Sequence, residues 1–181
     1  MILVVDMNWK RESLSQSEFV LPIIVAVEPL EACVVKHFLD VKPSELGKYS
    51  RIILSGTTLK DFEAQKHLDR FNWIKTYEKP ILGICAGMQI ISTVYGIPLT
   101  ACLHVGMTEI ITIKINPLFD GDFRAYTLHS LSVKPSETFD VLAKSSKCIQ
   151  AIKHKQKPTY GLLFHPEVRN SQILQHFIAF A

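Results

Sequence analysis

The sequence has few of the features that mark secreted or nucleic-acid-binding proteins. Its four cysteines, at positions 33, 85, 102 and 148, are widely separated and form no CxxC pair. We therefore expect neither a disulfide framework nor a zinc clip, and a reducing compartment fits best. The histidines show no HxH or HxxxH spacing, so nothing requires a metal or another cofactor. No long run of like charges occurs, which argues against a nucleic-acid partner.

Long apolar runs are also missing. The stretch from Phe19 to Val27 contains Pro22 and is about half of the roughly twenty residues that span a bilayer. Met1 leads into an apolar run without the basic segment or the cleavage site of a secretory signal. We therefore predict no membrane segment and a cytoplasmic location. A hydrophobic content of 48% over 181 residues can fill one core, so we expect a single domain over residues 1–181.

What the sequence does contain is an alternation of apolar runs and amphipathic segments. Short apolar runs predict strands at residues 2–5, 32–38, 51–54 and 80–84, and helices are predicted at 13–28, 61–77 and 86–95. Pro22 should lie in a first helical turn or kink its helix. Later strand-like runs at 107–115, 123–133, 150–154 and 160–164 precede a helix at 171–180. This pattern predicts an α/β fold with a central, mostly parallel sheet flanked by helices and a small antiparallel portion.

The strongest chemical motif lies at the junction of a predicted strand and helix. Gly83-Ile84-Cys85-Ala86-Gly87 has the form of a nucleophile elbow, in which a strained turn exposes the reactive side chain. The flanking glycines allow the tight turn, and the positive end of the following helix dipole favours a thiolate. The alternative is an ordinary buried cysteine between two turn glycines.

A second motif supplies the base that such a nucleophile needs. An apolar run from Gly161 to Phe164 delivers His165 to the carboxyl end of a strand, where α/β sheets bind their ligands. Pro166 keeps His165 extended, so Glu167 should face the same way and hold the imidazole in the tautomer that accepts the thiol proton. The alternative is a surface loop with a solvated histidine and glutamate.

Together these motifs resemble the class I glutamine amidotransferase family. In that family, the G-x-C-x-G-x-Q segment carries the nucleophile and a later H-P-E segment supplies the base and the orienting carboxylate. The resemblance implies a catalytic triad of Cys85, His165 and Glu167 in a flavodoxin-like glutamine amidotransferase fold. It also implies that glutamine is hydrolysed through a Cys85 thioester to glutamate and ammonia, which a separate synthase subunit receives.

The resemblance extends to the oxyanion hole, with one departure. The backbone N–H of Ala86 should be one donor, and Gly56 or Thr57 should supply the other. Where the family usually has Gly-Gly-Pro after the serine, this chain has Ser55-Gly56-Thr57-Thr58. If the donor requires a positive φ, Thr57 would be strained, and the loop would then close differently or only when a partner docks.

Substrate contacts are implied at two further segments. Gln89 lies four residues after Cys85, shares its helical face and resembles the family's substrate-contacting glutamine, although a solvent-facing side chain is the alternative. His129, Ser130 and Leu131 resemble the segment whose backbone binds the ends of glutamine. A histidine that caps a turn is the alternative there.

The resemblance leaves several functions open. We rank an unassigned class I amidotransferase subunit first, the glutaminase subunit of GMP synthase second and the anthranilate or aminodeoxychorismate type third. The GMP synthase type usually has Gly-Gly-Gln-Tyr after its first strand, whereas this chain has Met7-Asn8-Trp9-Lys10. Two functions outside the amidotransferases also stay open: a stand-alone γ-glutamyl hydrolase, and a binding subunit without catalytic activity.

Overall fold

The computed structural model describes residues 1–180, in which nine strands form one continuous sheet. The strands are β1 (Ile2–Asp6), β2 (Cys33–His37), β3 (Arg51–Leu54), β4 (Ile81–Ile84), β5 (Leu99–Thr112), β6 (Phe123–Val133), β7 (Phe139–Lys144), β8 (Ile149–His154) and β9 (Thr159–Leu162). The α-helices are α1 (Leu14–Phe19), α2 (Leu21–Val27), α3 (Ala86–Val94), α4 (Pro166–Arg169) and α5 (Gln172–Ala179). The strand order is β2-β1-β3-β4-β9-β8-β7-β5-β6.

One half of the sheet is parallel, as the sequence predicts. Strand β1 pairs with β2 and β3, β3 pairs with β4, and β4 pairs with β9, all in parallel. Every residue of β1, β3, β4 and β9 is buried, because helices cover both faces and require continuous apolar runs. The carboxyl ends of β4 and β9 are therefore neighbours, which brings the two predicted catalytic motifs together.

The other half is antiparallel and larger than expected. Strands β9, β8, β7, β5 and β6 pair in succession, each antiparallel to the next. Strand β7 was not predicted, and β5 begins at Leu99 rather than at residue 107. These segments gain their strand conformation from their neighbours in the sheet, a tertiary effect that their own residue patterns do not show.

Two helical segments differ in detail from the expectation. The predicted helix at 13–28 is divided into α1 and α2, and Pro22 occupies the first turn of α2. The segment predicted as an amphipathic helix at 61–77 is helical over Ala64–Lys75, but its turns are 3-10 rather than α. His67, with φ −120° and ψ 39°, leaves the helical region and interrupts the regular turns.

The apolar side chains form two clusters, one on each face of the sheet. Alternate residues of β1 belong to different clusters: Leu3 and Val5 to one, Ile2 and Val4 to the other. This is the alternation that a pleated strand with both faces covered requires. Within residues 1–180, no helix has both the length and the apolar content to cross a membrane.

Candidate active site

Cys85 occupies a strained turn between β4 and α3. Its φ is 47° and its ψ is −102°, a conformation that is costly for a residue with a side chain. Neighbouring backbone segments approach this turn very closely. A Cβ added at Gly83 would lie 2.5 Å from the Gly87 carbonyl carbon. A Cβ at Gly87 would lie 2.6 Å from the Leu54 carbonyl oxygen. Both glycines are thus required for the approach of strand and helix that presents Cys85.

His165 and Glu167 form a buried pair just after β9. The Nδ1 atom of His165 lies 2.7 Å from Oε1 of Glu167, and their side chains are 1% and 0% exposed. The backbone N–H of His165 donates to the Tyr126 carbonyl at 2.8 Å, which attaches this turn to β6. His165 is extended, as expected, but Glu167 reaches the ring because α4 begins at Pro166, and not because the chain stays extended.

The electrostatics of this pair favour a protonated imidazole. Burial by itself lowers the pKa of His165, but the charges of Glu167 and Cys85 outweigh it and raise that pKa well above its usual value. The Nε2 atom of His165 makes no hydrogen bond to any residue of the described chain, and neither does the second carboxylate oxygen of Glu167. Protonated His165 can therefore offer its Nε2 proton to a group that enters beside Cys85.

Gly56, one of the predicted oxyanion donors, lies directly against His165. A Cβ at Gly56 would lie 2.6 Å from Cε1 of the His165 ring, so only glycine fits between strand and imidazole. Thr57 does not carry the strain considered above: among residues 1–180, the non-glycine residues with positive φ are Glu12 and Cys85. Ala86 is the first residue of α3, where backbone N–H groups have no partner within the helix.

Gln89 is buried on the Cys85 side of α3. Its side-chain amide donates to the Leu131 carbonyl at 3.0 Å and accepts from the Gln65 amide at 3.2 Å. The alternative of a solvent-facing glutamine is therefore wrong, since the residue is only 5% exposed. In this form of the protein, Gln89 ties α3 to the end of β6.

The segment around His129 contributes through its backbone. The Cys85 Sγ atom lies 3.4 Å from the Leu128 carbonyl oxygen, and the Ser130 hydroxyl donates to the Leu59 carbonyl at 3.5 Å. The His129 ring nitrogen Nδ1 lies 2.8 Å from the Cys102 carbonyl oxygen, so it carries a proton and donates it. Burial lowers the pKa of His129 to about 4, so this imidazole is neutral at pH 7 and cannot act as a cation in the site.

A narrow cleft joins these groups. It is lined by Thr57, Thr58, Leu59, Asp61, Phe62, Cys85, Ala86, Gln89, Leu128, His129 and Ser130. Its volume of about 10 Å³ is near the smallest that holds a single water. Glutamine does not fit in a volume of this size. Residues 57–62, which we name the cleft loop, form one side of the cleft.

Sequence reasoning missed the contacts that hold the cleft loop. Asp61 accepts hydrogen bonds from the backbone N–H of Trp9 at 2.8 Å and of Glu63 at 3.1 Å. The Thr57 hydroxyl lies 3.4 Å from the Asp61 carbonyl oxygen. The only signal in the sequence was that both unusual segments, residues 7–10 and 55–58, depart from the family pattern. The structure brings these departures together: residues 57 and 58 begin the cleft loop, and the backbone of Trp9 donates to Asp61 within it.

Comparisons with known proteins bear on the family of the chain. The sequence pattern of the family Glutamine amidotransferase class-I matches residues 19–180. The A subunit of GMP synthase (glutamine-hydrolyzing) from Methanocaldococcus jannaschii is 39% identical over 158 residues, which cover 73% of this chain and 84% of that protein. The protein of the same name from Methanococcus maripaludis strain C7 is 41% identical over 161 residues, covering 75% and 84%.

Solved structures share the fold. A putative A subunit of GMP synthase from Thermoplasma acidophilum superposes with a TM-score of 0.82 at 23% identity, covering 98% of this chain and 92% of that one. A glutamine amidotransferase from Thermotoga maritima superposes with a TM-score of 0.72 at 18% identity, covering 98% and 80%. The expected fold is therefore confirmed.

Proposed function

The chain belongs to the class I glutamine amidotransferase family, and on that premise we propose that it is a glutaminase subunit that supplies ammonia to a separate synthase. The observation that carries the proposal is the meeting of three groups at adjacent strand ends. Cys85 is held in a strained turn at the start of α3, and the buried His165–Glu167 pair lies beside it. This is the arrangement that acyl transfer through a cysteine requires.

The proposed reaction uses Cys85 as nucleophile and His165 as acid and base. The Cys85 thiolate attacks the side-chain carboxamide of glutamine and forms a tetrahedral oxyanion. The N–H of Ala86 and that of Gly56 or Thr57 stabilise this oxyanion. Protonated His165 gives its Nε2 proton to the departing ammonia, leaving a glutamyl thioester on Cys85. His165 then activates water to hydrolyse the thioester, and Glu167 orients the imidazole throughout.

Substrate binding falls to groups on three elements. We propose that Gln89 and the backbone of His129, Ser130 and Leu131 bind glutamine, since all lie around the cleft or bond to residues that line it. The existing bond from Gln89 to the Leu131 carbonyl holds one of these segments in place before substrate arrives. No cofactor is needed, because the thiolate and the imidazole together supply nucleophile, acid and base.

A closed cleft suggests that the partner controls activity. Free ammonia is mostly protonated at neutral pH and reacts poorly, so hydrolysis without an acceptor would waste glutamine. The cleft loop is held by the bond between Asp61 and the backbone of Trp9, whose side chain is 59% exposed beside it. A synthase that docks on Trp9 would release Asp61 and open the cleft.

The identity of the synthase is the finer part of the proposal. The relatives named above are GMP synthase subunits, and the chain covers 84% of each. We therefore place the GMP synthase type before the other amidotransferase types. Four free cysteines fit the reducing cytoplasm in which such a subunit would act.

The deciding experiment is ammonia release from glutamine by the purified chain. It is measured alone, with the synthase subunit of GMP synthase from the same organism, and with cell extract, with Cys85→Ala as the inactive control. We expect slow release alone and at least about tenfold stimulation by the synthase subunit. Stimulation by extract but not by that subunit would reject GMP synthase and keep the amidotransferase.

Further outcomes would contradict the proposal itself. Full activity without any partner would favour a stand-alone γ-glutamyl hydrolase. No activity under any condition would favour a binding subunit. Turnover that survives in a folded Cys85→Ala variant would remove the proposed nucleophile.

A further inference from the structure

Two thiols and an imidazole that the proposed reaction does not use lie close together at residues 129–131, which we name the substrate segment because we assign their backbone to glutamine binding. They belong to Cys102, His129 and Cys148, and one donor atom from each lies within 4.8 Å of the other two. The three residues come from different elements: Cys102 from a bulge in β5, His129 from β6, and Cys148 from the turn before β8. Because the three residues are far apart in sequence, no short ligand motif reveals the cluster.

His129 has the tautomer of a metal-binding histidine. Its Nδ1–H donates to the Cys102 carbonyl oxygen at 2.8 Å, which fixes the ring and leaves Nε2 with a lone pair whose one neighbour is the Gln150 amide at 3.5 Å. Histidines that ligate metals commonly donate their other ring N–H to a backbone carbonyl in this way. With Nδ1 occupied in this way, Nε2 is the ring nitrogen that His129 has left to offer a metal.

Gln150 provides an independent sign of a ligand. The residue is fully buried, with its Nε2 atom 3.4 Å from Cys148 Sγ and 3.5 Å from His129 Nε2. Its Oε1 atom has no hydrogen-bond partner among the described residues. The two ends of an amide are nearly the same shape, so a half-turn would place the unpartnered oxygen where the nitrogen is. A fourth donor can therefore face the same point.

We propose that Cys102, Cys148 and Nε2 of His129 bind one thiophilic divalent cation of the zinc class, with the Gln150 carbonyl oxygen or a water as fourth ligand. Two sulfurs and one nitrogen are a donor set that Zn²⁺ prefers in tetrahedral geometry. Sulfur ligands on a tetrahedral Zn²⁺ are about 3.8 Å apart. The donor atoms of the cluster must therefore move closer together by about 1 Å or less when the cation binds. Each thiol loses one proton on binding, and the two thiolates neutralise the cation in this buried place.

The site would act on the substrate segment without taking part in the reaction. A bound cation would join β5, β6 and the turn before β8 at His129. The neighbouring carbonyls on β6, those of Leu128 and Leu131, contact Cys85 Sγ and the Gln89 amide. The cation would therefore fix the backbone that we assign to glutamine binding, although metal binding itself does not depend on that assignment.

Cobalt titration of the full chain tests the site. The Cys85→Ala variant is used throughout, so that the catalytic thiol cannot compete as a ligand, and the protein is reduced and treated with chelator first. We expect one Co²⁺ per chain, with thiolate-to-cobalt charge-transfer absorption in the near ultraviolet and the visible bands of tetrahedral Co²⁺. Added Zn²⁺ should abolish both signals by displacing Co²⁺.

Matched cysteine variants locate the binding. Cys102→Ser and Cys148→Ser should each weaken Co²⁺ binding by at least about tenfold. Cys33→Ser should leave it unchanged, because Cys33 is similarly half-buried but lies on β2 at the other end of the sheet. Circular dichroism shows whether each variant is folded, and if one serine variant fails to fold, the other still locates the site.

Three results would overturn the proposal. The first is the absence of a thiolate-to-cobalt band in the folded protein. The second is a band that survives in both Cys102→Ser and Cys148→Ser. The third is a Cys102–Cys148 disulfide in the isolated protein that, once reduced, binds neither Co²⁺ nor Zn²⁺.

Discussion

Adding one methyl group at Gly56 should disable the active site while leaving most of the fold intact. The Cβ of Gly56→Ala would lie 2.6 Å from Cε1 and 3.2 Å from Nδ1 of His165, and 3.4 Å from Cδ1 of Phe19. The Phe19 ring is also in contact at that distance, which reduces the free space around the added methyl group. The backbone N–H at position 56 is retained, so the substitution tests the position of His165 rather than the loss of an oxyanion donor.

The expected magnitude follows from the overlap. Carbon atoms in contact are normally about 3.5–4.0 Å apart, so the His165 ring must shift by about 1 Å. A displacement of that size in a catalytic group costs on the order of 100-fold in rate, or about 2.7 kcal/mol of transition-state stabilisation. Overpacking of this kind also lowers the free energy of unfolding by about 1–3 kcal/mol.

The assay compares kcat and KM for ammonia release, in the presence of the activating partner, between wild type and Gly56→Ala. Urea unfolding of the same samples measures the change in the free energy of unfolding separately. Gly47→Ala is the matched control, because a Cβ at Gly47 meets no atom within 4 Å. A folded Gly56→Ala protein with kcat within about threefold of wild type would falsify the reasoning, because His165 would then tolerate the shift.

Two further substitutions test the site and its scaffold. Glu167→Gln removes a carboxylate that raises the pKa of His165 and leaves the burial that lowers it, so His165 should lose its proton at lower pH. In a plot of kcat/KM for glutamine against pH, the alkaline limb should therefore move to lower pH. An alkaline limb at the wild-type position would contradict the role assigned to Glu167. Gly83→Ala should reduce the free energy of unfolding by more than about 3 kcal/mol, because its Cβ would lie 2.5 Å from the backbone of Gly87. Urea midpoints measure this effect against Gly47→Ala, and equal midpoints would show that strand and helix can separate at no cost.

The parallel half of the fold was predictable because its determinants are local. Strands buried on both faces need unbroken apolar runs, and residues 2–5, 52–54 and 81–84 have them. The antiparallel half was predicted less well. β7 and the first part of β5 are strands because adjacent strands satisfy their backbone hydrogen bonds, and that condition lies outside their own sequence.

The candidate site shows the same division. Short motifs predict the elbow glycines, Cys85 and the His165–Glu167 pair, because the tight turn and the orientation of the imidazole require those residue types at that spacing. The Leu128 carbonyl beside Cys85 and the contact between Asp61 and Trp9 involve backbone atoms, which every residue has and no motif reveals.

The reaction class can be read from the sequence, because a nucleophile elbow and a base with its orienting carboxylate require particular residue types at particular spacings. The narrowness of the cleft and the meeting of Cys102, His129 and Cys148 arise only in the tertiary structure. Both features depend on how distant segments pack against each other. Distances across a folded chain are set by the whole sheet, and no local pattern of residues records them.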